Sequence, residues 1–192
     1  MRVIAGAAGG LRLDVPKTDV RPTMDRVKAA IFSSLGDLVI GARVLDLFAG
    51  TGALGIEALS RGAASALFVE ENSAAVAAIE RNLARTKLAG RVRKQDVFAF
   101  LRSKQTREPF QIILADPPYE KAKSGGEFTS LLLEDPQLAQ MLDPSGVFVL
   151  EKRPAEQMPP LPLWSVTRTR AYGSTEVLFL QRAGIPAEAR AR

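Results

Sequence analysis

The sequence contains neither cysteine nor histidine among its 192 residues. Without cysteine the chain can form no disulfide, no thiolate metal site and no covalent intermediate on sulfur. Methylation of a pyrimidine carbon commonly uses such an intermediate, so that chemistry is excluded. Without histidine, general-base catalysis by an imidazole is excluded as well.

Long apolar runs are also missing. No stretch reaches the ~20 residues of a membrane-spanning helix, and the start of the chain has no long apolar segment of the signal-peptide type. We therefore expect a cytoplasmic protein. A length of 192 residues with 46% hydrophobic content provides one domain with a full core, without room for a separate target-recognition domain.

A short polar loop follows the apolar run 110–115, which predicts a buried strand. Its prolines, Pro117 and Pro118, fix φ and cannot donate hydrogen bonds, so the loop is stiff and offers acceptors only. The Asp116 carboxylate and the Pro117 carbonyl can converge on a group with N–H donors, and Tyr119 offers a flat face to a planar ring. This arrangement suits the exocyclic amine of a nucleobase; the alternative is a proline-rich turn without a ligand.

Three glycines, Gly50, Gly52 and Gly55, lie between an apolar run at 44–48 and a helical pattern. In such a turn the glycines let the backbone approach a ligand, and the helix N-terminus points its N–H groups there. The spacing also fits a dinucleotide site. However, Asp46 would repel a pyrophosphate and attract an ammonium group. S-adenosylmethionine has that ammonium group, a ribose and no phosphate.

Two more acidic residues follow predicted strands. Glu70 comes 20 residues after Gly50, a position that commonly accepts the ribose hydroxyls of a nucleoside. Asp96 could accept from the adenine amine. Each acid could also be a solvated strand end, but Asp46, Glu70 and Asp96 all lie on the sheet edge where parallel sheets bind ligands.

These motifs carry a family resemblance. The segment 45–52 with the Asp-Pro-Pro-Tyr loop resembles class I S-adenosylmethionine-dependent methyltransferases that modify amino groups. The blocks 21–28 (Arg-Pro-Thr-Met-Asp-Arg-Val-Lys) and 54–63 narrow the resemblance to the bacterial 16S rRNA guanine-N2 methyltransferases of the RsmD family. It extends from Arg2 to about Leu180, nearly the whole chain.

The resemblance implies a set of functional residues. It implies S-adenosylmethionine as the cofactor, no metal, and 16S rRNA or a small-subunit particle as the partner of a monomer. The implied catalytic residues are Asp116, Pro117, Pro118 and Tyr119. The implied cofactor-binding residues are Asp46, Phe48, Gly50, Thr51, Gly52, Glu70, Asp96 and Val97.

A basic surface is a further prediction. The net charge is +5 with a pI of about 9.8, and the segment 81–107 carries nine basic residues against one acid. Either this is a solvated helix face, or it contacts an RNA backbone. The candidates for RNA contact are Arg12, Arg21, Arg26, Arg91, Arg93, Lys94 and Lys121, with Lys17, Lys28 and Lys123 as possible extensions.

The implied reaction needs neither cysteine nor histidine, because the amine nitrogen is the nucleophile. Asp116 and the Pro117 carbonyl would accept both N–H groups of guanine N2, while Tyr119 stacks on a base that has left its helix. Four alternatives remain open from the sequence. They are a DNA adenine-N6 methyltransferase, a protein-glutamine methyltransferase (which usually has asparagine in place of Asp116), a nicotinamide dehydrogenase and a non-catalytic RNA-binding module.

The predicted fold is α/β and Rossmann-like, with a seven-stranded, mostly parallel sheet, helices on both faces and a C-terminal antiparallel hairpin. Residues 2–5 and 11–15 predict a small N-terminal hairpin. We expect this extension over 1–20, the methyltransferase domain over 21–183 and a flexible tail over 184–192, with Thr23 as a helix N-cap and a mobile loop at 120–127. The predicted strands are 44–48, 66–70, 91–94, 111–115, 147–150, 165–169 and 177–180, and the predicted helices after the first are 53–61, 73–88 and 97–103.

Overall fold

Strands and helices alternate along the chain as the apolar pattern predicts. The structure is a computed structural model that describes residues 1–15, 22–103, 108–118 and 127–184, with only the backbone at 22–24. The strands are β1 Arg43–Leu47, β2 Ser65–Glu70, β3 Arg91–Lys94, β4 Phe110–Ala115, β5 Leu142–Lys152, β6 Trp164–Tyr172 and β7 Thr175–Arg182. The helices are α1 Pro22–Leu35, α2 Ala53–Ser60, α3 Ser73–Thr86, α4 Val97–Arg102, α5 Phe128–Glu134 and α6 Pro136–Met141, with one turn of 3₁₀-helix at Gly36–Val39.

All seven strands form one sheet in the order β3-β2-β1-β4-β5-β7-β6. The five strands from β3 to β5 are parallel, whereas β7 runs antiparallel to both β5 and β6. This confirms the predicted fold class. The strand order reverses between β1 and β4, and a parallel sheet opens a crevice for ligands at the carboxyl ends of the strands around such a point.

Side chains alternate between the two faces of the sheet and build two core layers. The first core layer joins the sheet to α1, α2 and α3, and the second joins it to α4, α5 and α6. The two layers contain most of the large apolar side chains, which agrees with the near-continuous apolar strands expected of a sheet covered on both faces.

The N-terminal segment forms a hairpin smaller than predicted. Its only strand-type pairing in the described chain is an antiparallel bridge between Arg2 and Arg12. The segment is held instead by Glu57 of α2, which is fully buried and accepts hydrogen bonds from the backbone N–H groups of Ile4 and Ala5, at 2.7 and 3.1 Å. The extension is therefore docked on the body of the domain.

Three details differ from the sequence-based expectations. The first helix begins at Pro22, so Thr23 lies inside its first turn; proline is favoured at the first helical position because its missing N–H has no partner there anyway. Strand β5 begins at Leu142, before the turn that was expected to precede it. Helices α5 and α6 were not predicted, and Asp135 separates them by capping α6.

Candidate active site and cofactor site

Three carboxyl groups lie at the carboxyl ends of three adjacent strands. In the sheet register, Ala115 of β4 pairs with Leu150 of β5, so the next residues, Asp116 and Glu151, follow at the same level. Asp46 of β1 lies two residues lower, because it pairs with the residue before Ala115. Neighbouring strands are about 4.8 Å apart, so the three acids form one group.

Two of these acids also share a face of the sheet. Side chains alternate along a strand, and the residues two positions before Asp46 and Glu151, Val44 and Val149, both belong to the first core layer. Asp46 and Glu151 therefore project on the side of α1, α2 and α3. Asp116 follows β4 directly, and its charge contributes to the raised pKa of both carboxyl groups. We call the three acids the acidic triad.

Asp46 is the most deeply buried member of the triad, with 1% of its surface exposed. Its Oδ2 accepts a hydrogen bond of 2.8 Å from the backbone N–H of Gly55 in α2. Burial raises the pKa of the Asp46 carboxyl from 3.8 to about 8, with further contributions from Asp116 and Glu70, although the bond from Gly55 opposes the rise. In the absence of a nearby cation, Asp46 holds a proton at neutral pH.

The glycine loop has the backbone geometry that its residues predict. Gly50 and Gly52 have φ values of +55° and +78°, which disfavour any residue with a Cβ. A Cβ added to Gly50 would meet only the Phe48 carbonyl, at 4.0 Å. Phe48 itself has a φ of +55°, a strained value for a bulky residue and of the kind that clusters at ligand sites.

The third glycine serves packing. A Cβ added to Gly55 would lie 2.3 Å from the Phe68 ring and 3.0 Å from Asp46 Oδ2. The helix can approach the sheet this closely only at a glycine, as in nucleotide-binding turns. Gly55 thus brings the start of α2 against β1 and places its N–H on Asp46.

Glu70 ends β2 beside this loop. Its Oε2 accepts from the backbone N–H of Gly50 and its Oε1 from that of Asn72, both at 2.8 Å. A carboxylate can accept about four hydrogen bonds, so Glu70 can hold the loop and still accept from the hydroxyls of a ribose.

Asn82 of α3 also supports the loop, and sequence reasoning missed it. Its side-chain amide is fully buried and donates to the carbonyls of Thr51 and Asp14, both at 3.0 Å. Its Oδ1 accepts from the Asp14 N–H at 2.6 Å. Asn82 therefore connects the glycine loop with the N-terminal extension.

The expected adenine site lies beyond β3. Asp96 caps α4 by accepting from the Ala99 N–H at 2.8 Å, which gives it a structural role in addition to the expected ligand contact. Val97 is buried in the second core layer, so its side chain contributes to the core next to this site. Three half-buried rings, Phe48, Phe98 and Phe128, pack beside it with centroids 5.3–6.2 Å apart and provide apolar surface for a purine.

Among the predicted catalytic residues, Asp116 is half-buried, Pro117 buried and Pro118 exposed. Tyr119 and Lys121 lie outside the described residues, as does the loop expected at 120–127 except for its last residue.

Glu151 is the triad member that sequence reasoning missed. Burial, Asp116 and Asp46 together raise the pKa of its carboxyl well above the usual value.

The basic residues are dispersed over the molecule. Arg91 and Arg93 pair in the sheet with residues of the second core layer, so they project on the side of α4, α5 and α6, whereas Lys94 projects on the side of α1, α2 and α3. Arg12 and Arg26 are exposed. Arg21, Lys17 and Lys123 lie outside the described residues.

Lys28 cannot take the RNA-contacting role that was considered for it. It is 3% exposed, donates to the Arg2 carbonyl and pairs with Glu57 at 3.5 Å. Burial lowers the pKa of Lys28, although Glu57 opposes the effect. The sequence suggested an accessible cation because lysine is usually exposed, and only the docked N-terminal segment explains its burial.

Comparison with known proteins agrees with this geometry. Over 185 residues the chain is 36% identical to the ribosomal RNA small subunit methyltransferase D of Escherichia coli K12, in a match that covers 95% of this chain and 90% of that one. A hypothetical protein of Thermus thermophilus superposes with a TM-score of 0.79 at 30% identity over 94% of this chain and 99% of its own. The 16S rRNA N2 G1207 methyltransferase of T. thermophilus, solved with AdoMet and guanosine, gives a TM-score of 0.67 at 26% identity over 86% of this chain and 44% of its own.

The sheet order, the glycine loop and the acids at the strand ends define a class I S-adenosylmethionine-dependent methyltransferase. The family model described as Conserved hypothetical protein 95 matches residues 1–181. The chain belongs to this family, which is the RsmD family. The described residues hold no cluster of acids that could bind a metal ion, and none of their helices is long and apolar enough to cross a membrane.

Proposed function

We propose that this methyltransferase acts on the exocyclic N2 amine of one guanine in 16S rRNA, in the cytoplasm and as a monomer. The observation that carries the proposal is the placement of Asp116 and Pro117 at the end of β4, next to the glycine loop of β1. Acceptors for an amine and a turn for the cofactor then lie side by side.

The chain's own groups fit S-adenosylmethionine. Glu70 supports the turn and would accept from the ribose hydroxyls, and Asp96 and Phe98 would hold the adenine. The cofactor carries an ammonium and a sulfonium charge, and the acidic triad supplies carboxyl groups whose ionised forms those charges would stabilise. When bound, the cofactor supplies the electrophilic methyl group.

Asp116 and the Pro117 carbonyl then prepare the nucleophile. The lone pair of guanine N2 is delocalised into the ring, so the amine is a poor nucleophile until it becomes pyramidal. Two acceptors placed out of the ring plane favour that geometry by holding both N–H bonds. Asp116 would take up the N–H proton that the amine loses on methylation and pass it to water.

In this mechanism, much of the rate enhancement comes from holding the amine in line with the methyl group. Well-oriented reactants gain roughly 7–11 kcal/mol relative to reactants free in solution, and the stiff Asp-Pro-Pro loop reduces the motion of the amine. Tyr119 would stack on a base that has left its helix, since N2 of a paired guanine is inaccessible to the acceptors.

Methyl transfer from radiolabelled S-adenosylmethionine tests the proposal. The acceptors are 16S rRNA and small subunits from a strain that lacks the enzyme, and the modified base is mapped afterwards. We expect one N2-methylguanine. Label in N6-methyladenine, or label in DNA rather than rRNA, would contradict the assignment, and calorimetry with NAD in place of S-adenosylmethionine should give no binding.

A further inference from the structure

In the function proposed so far, Glu151 serves only as one of the three acids near the cofactor's charges, yet it also lies beside Asp116. Asp116 is the residue after β4, and the last residue of β4 pairs with the residue before Glu151 on β5. Glu151 is half-buried, and the charges that raise the pKa of its carboxyl are those of Asp116 and Asp46. A base whose amine is held by Asp116 can therefore turn one of the two ring atoms beside that amine towards Glu151.

The nucleobases differ in the ring atoms that flank their exocyclic amines. Guanine is the base whose exocyclic amine lies next to a ring N–H donor, N1–H. The amine of adenine is flanked by the acceptor N1, and that of cytosine by the acceptor N3. The other ring neighbour of guanine N2 is the acceptor N3. If the N1 side faces Glu151, a carboxylate there gains a hydrogen bond from guanine, whereas it repels the lone pair that adenine or cytosine has beside its amine.

We propose that the Glu151 carboxylate accepts the N1–H of the target guanine and thereby selects guanine over the other amino bases. The inference rests on the proposed function, because it takes the N2 amine to be held at Asp116. An N–H donor placed against Glu151 also offsets the burial that otherwise favours its protonated form. Glu151 then positions the base and sets specificity, while Asp116 contacts the reacting amine.

The test uses 2-aminopurine in place of the target guanine, once that nucleotide has been mapped. This base keeps the 2-amino group but has no hydrogen on N1. For each enzyme, the guanine preference is kcat/KM for guanine divided by kcat/KM for 2-aminopurine. Dividing the wild-type preference by that of the variant cancels the different intrinsic reactivities of the two bases.

Glu151→Met should reduce the preference for guanine over 2-aminopurine by about 10- to 100-fold, the effect expected for a hydrogen bond to a charged group. It should do so by slowing the reaction of guanine without slowing that of 2-aminopurine, whose N1 lone pair is no longer repelled. Glu151→Gln should give an intermediate preference, because its amide can accept from N1–H or donate to an unprotonated N1. The matched control is Asp143→Asn at the opposite end of β5, which should leave the preference unchanged.

Two results would overturn the inference. One is an equal loss for both bases in Glu151→Met, which a purely structural role predicts. The other is a wild-type preference in Glu151→Gln, which decides the matter if the methionine variant does not fold. Failure of the proposed function is distinguishable from both, because wild-type enzyme would then produce no N2-methylguanine in unsubstituted rRNA.

Discussion

Replacement of Asp46 by asparagine should stabilise the free protein and weaken its cofactor binding. Asparagine has the shape of the protonated carboxyl, and its Oδ1 can still accept from the Gly55 N–H that now bonds Asp46. The substitution removes only the ionised form, and that form is the one disfavoured by burial.

The magnitude follows from the pKa of Asp46, which rises from 3.8 to about 8 in the folded protein. Below pH 4 the group is protonated in both states and has no effect. Between pH 4 and 8 the unfolded chain ionises while the folded protein does not, so stability falls as pH rises, by about 1.4 kcal/mol per pH unit. The loss in free energy of unfolding reaches about 4 kcal/mol at pH 7, and above about pH 8 this free energy falls no further.

Urea unfolding of wild type and Asp46→Asn from pH 5 to pH 9 measures this effect. The variant's advantage should grow with pH up to about 8 and then level off. Asp37→Asn removes one charge at an exposed site of the 3₁₀-helix and should change stability by no more than about 0.5 kcal/mol. Parallel stability curves for wild type and Asp46→Asn would refute the reasoning.

The same variant should bind S-adenosylmethionine more weakly. The positive charges of the cofactor favour the carboxylate, so wild-type binding should release a proton below pH 8, and binding to Asp46→Asn should not. Calorimetry in two buffers of different ionisation enthalpy counts that proton. Equal proton release by both proteins would place the cofactor's charges away from Asp46.

Three further predictions concern the other site residues. Asp116→Ala should abolish methyl transfer with nearly unchanged cofactor affinity, and Asp116→Asn should retain more activity because one acceptor oxygen survives; a parallel loss of cofactor binding would contradict this. Glu70→Ala should weaken S-adenosylmethionine binding by roughly 1.5–3 kcal/mol in a titration, and an unchanged dissociation constant would reduce Glu70 to a support of the glycine loop. Joint neutralisation of Arg91, Arg93 and Lys94 should flatten the salt dependence of RNA binding, by about 0.7–0.9 in log K against log salt for each phosphate that is no longer neutralised; an unchanged slope would place the RNA elsewhere.

Local motifs explain which parts of the site could be predicted from the sequence. The glycine turn and the Asp-Pro-Pro loop are each contiguous in the sequence, so each can be recognised without knowledge of distant contacts. Gly50 and Gly52 have the positive φ values that the turn demands. The parallel order of the strands followed from their alternation with helices.

Features that depend on distant contacts could not be predicted in this way. Lys28 is buried because a segment from the chain's start covers it. At position 82, any small or apolar residue would fit the helical pattern of α3. The importance of Asn82 comes from its hydrogen bonds to three backbone groups that are far away in sequence. Short helices such as α5 and α6 offer too few turns for a periodic signal.

Glu151 shows the same limit at the site itself. It is followed by Lys152, which is 2% exposed and pairs with Glu176 of β7 at 2.9 Å, so in sequence the two look like one charged pair at a strand end. The structure separates them, because successive side chains of β5 project from opposite faces of the sheet. Lys152 is paired with Glu176 inside the fold. The charges that affect the pKa of Glu151 are those of Asp116 and Asp46. Buried acids of this kind favour their protonated forms until a cation or an N–H donor approaches them. In the proposed function, the charges of the cofactor and the N1–H of guanine supply both.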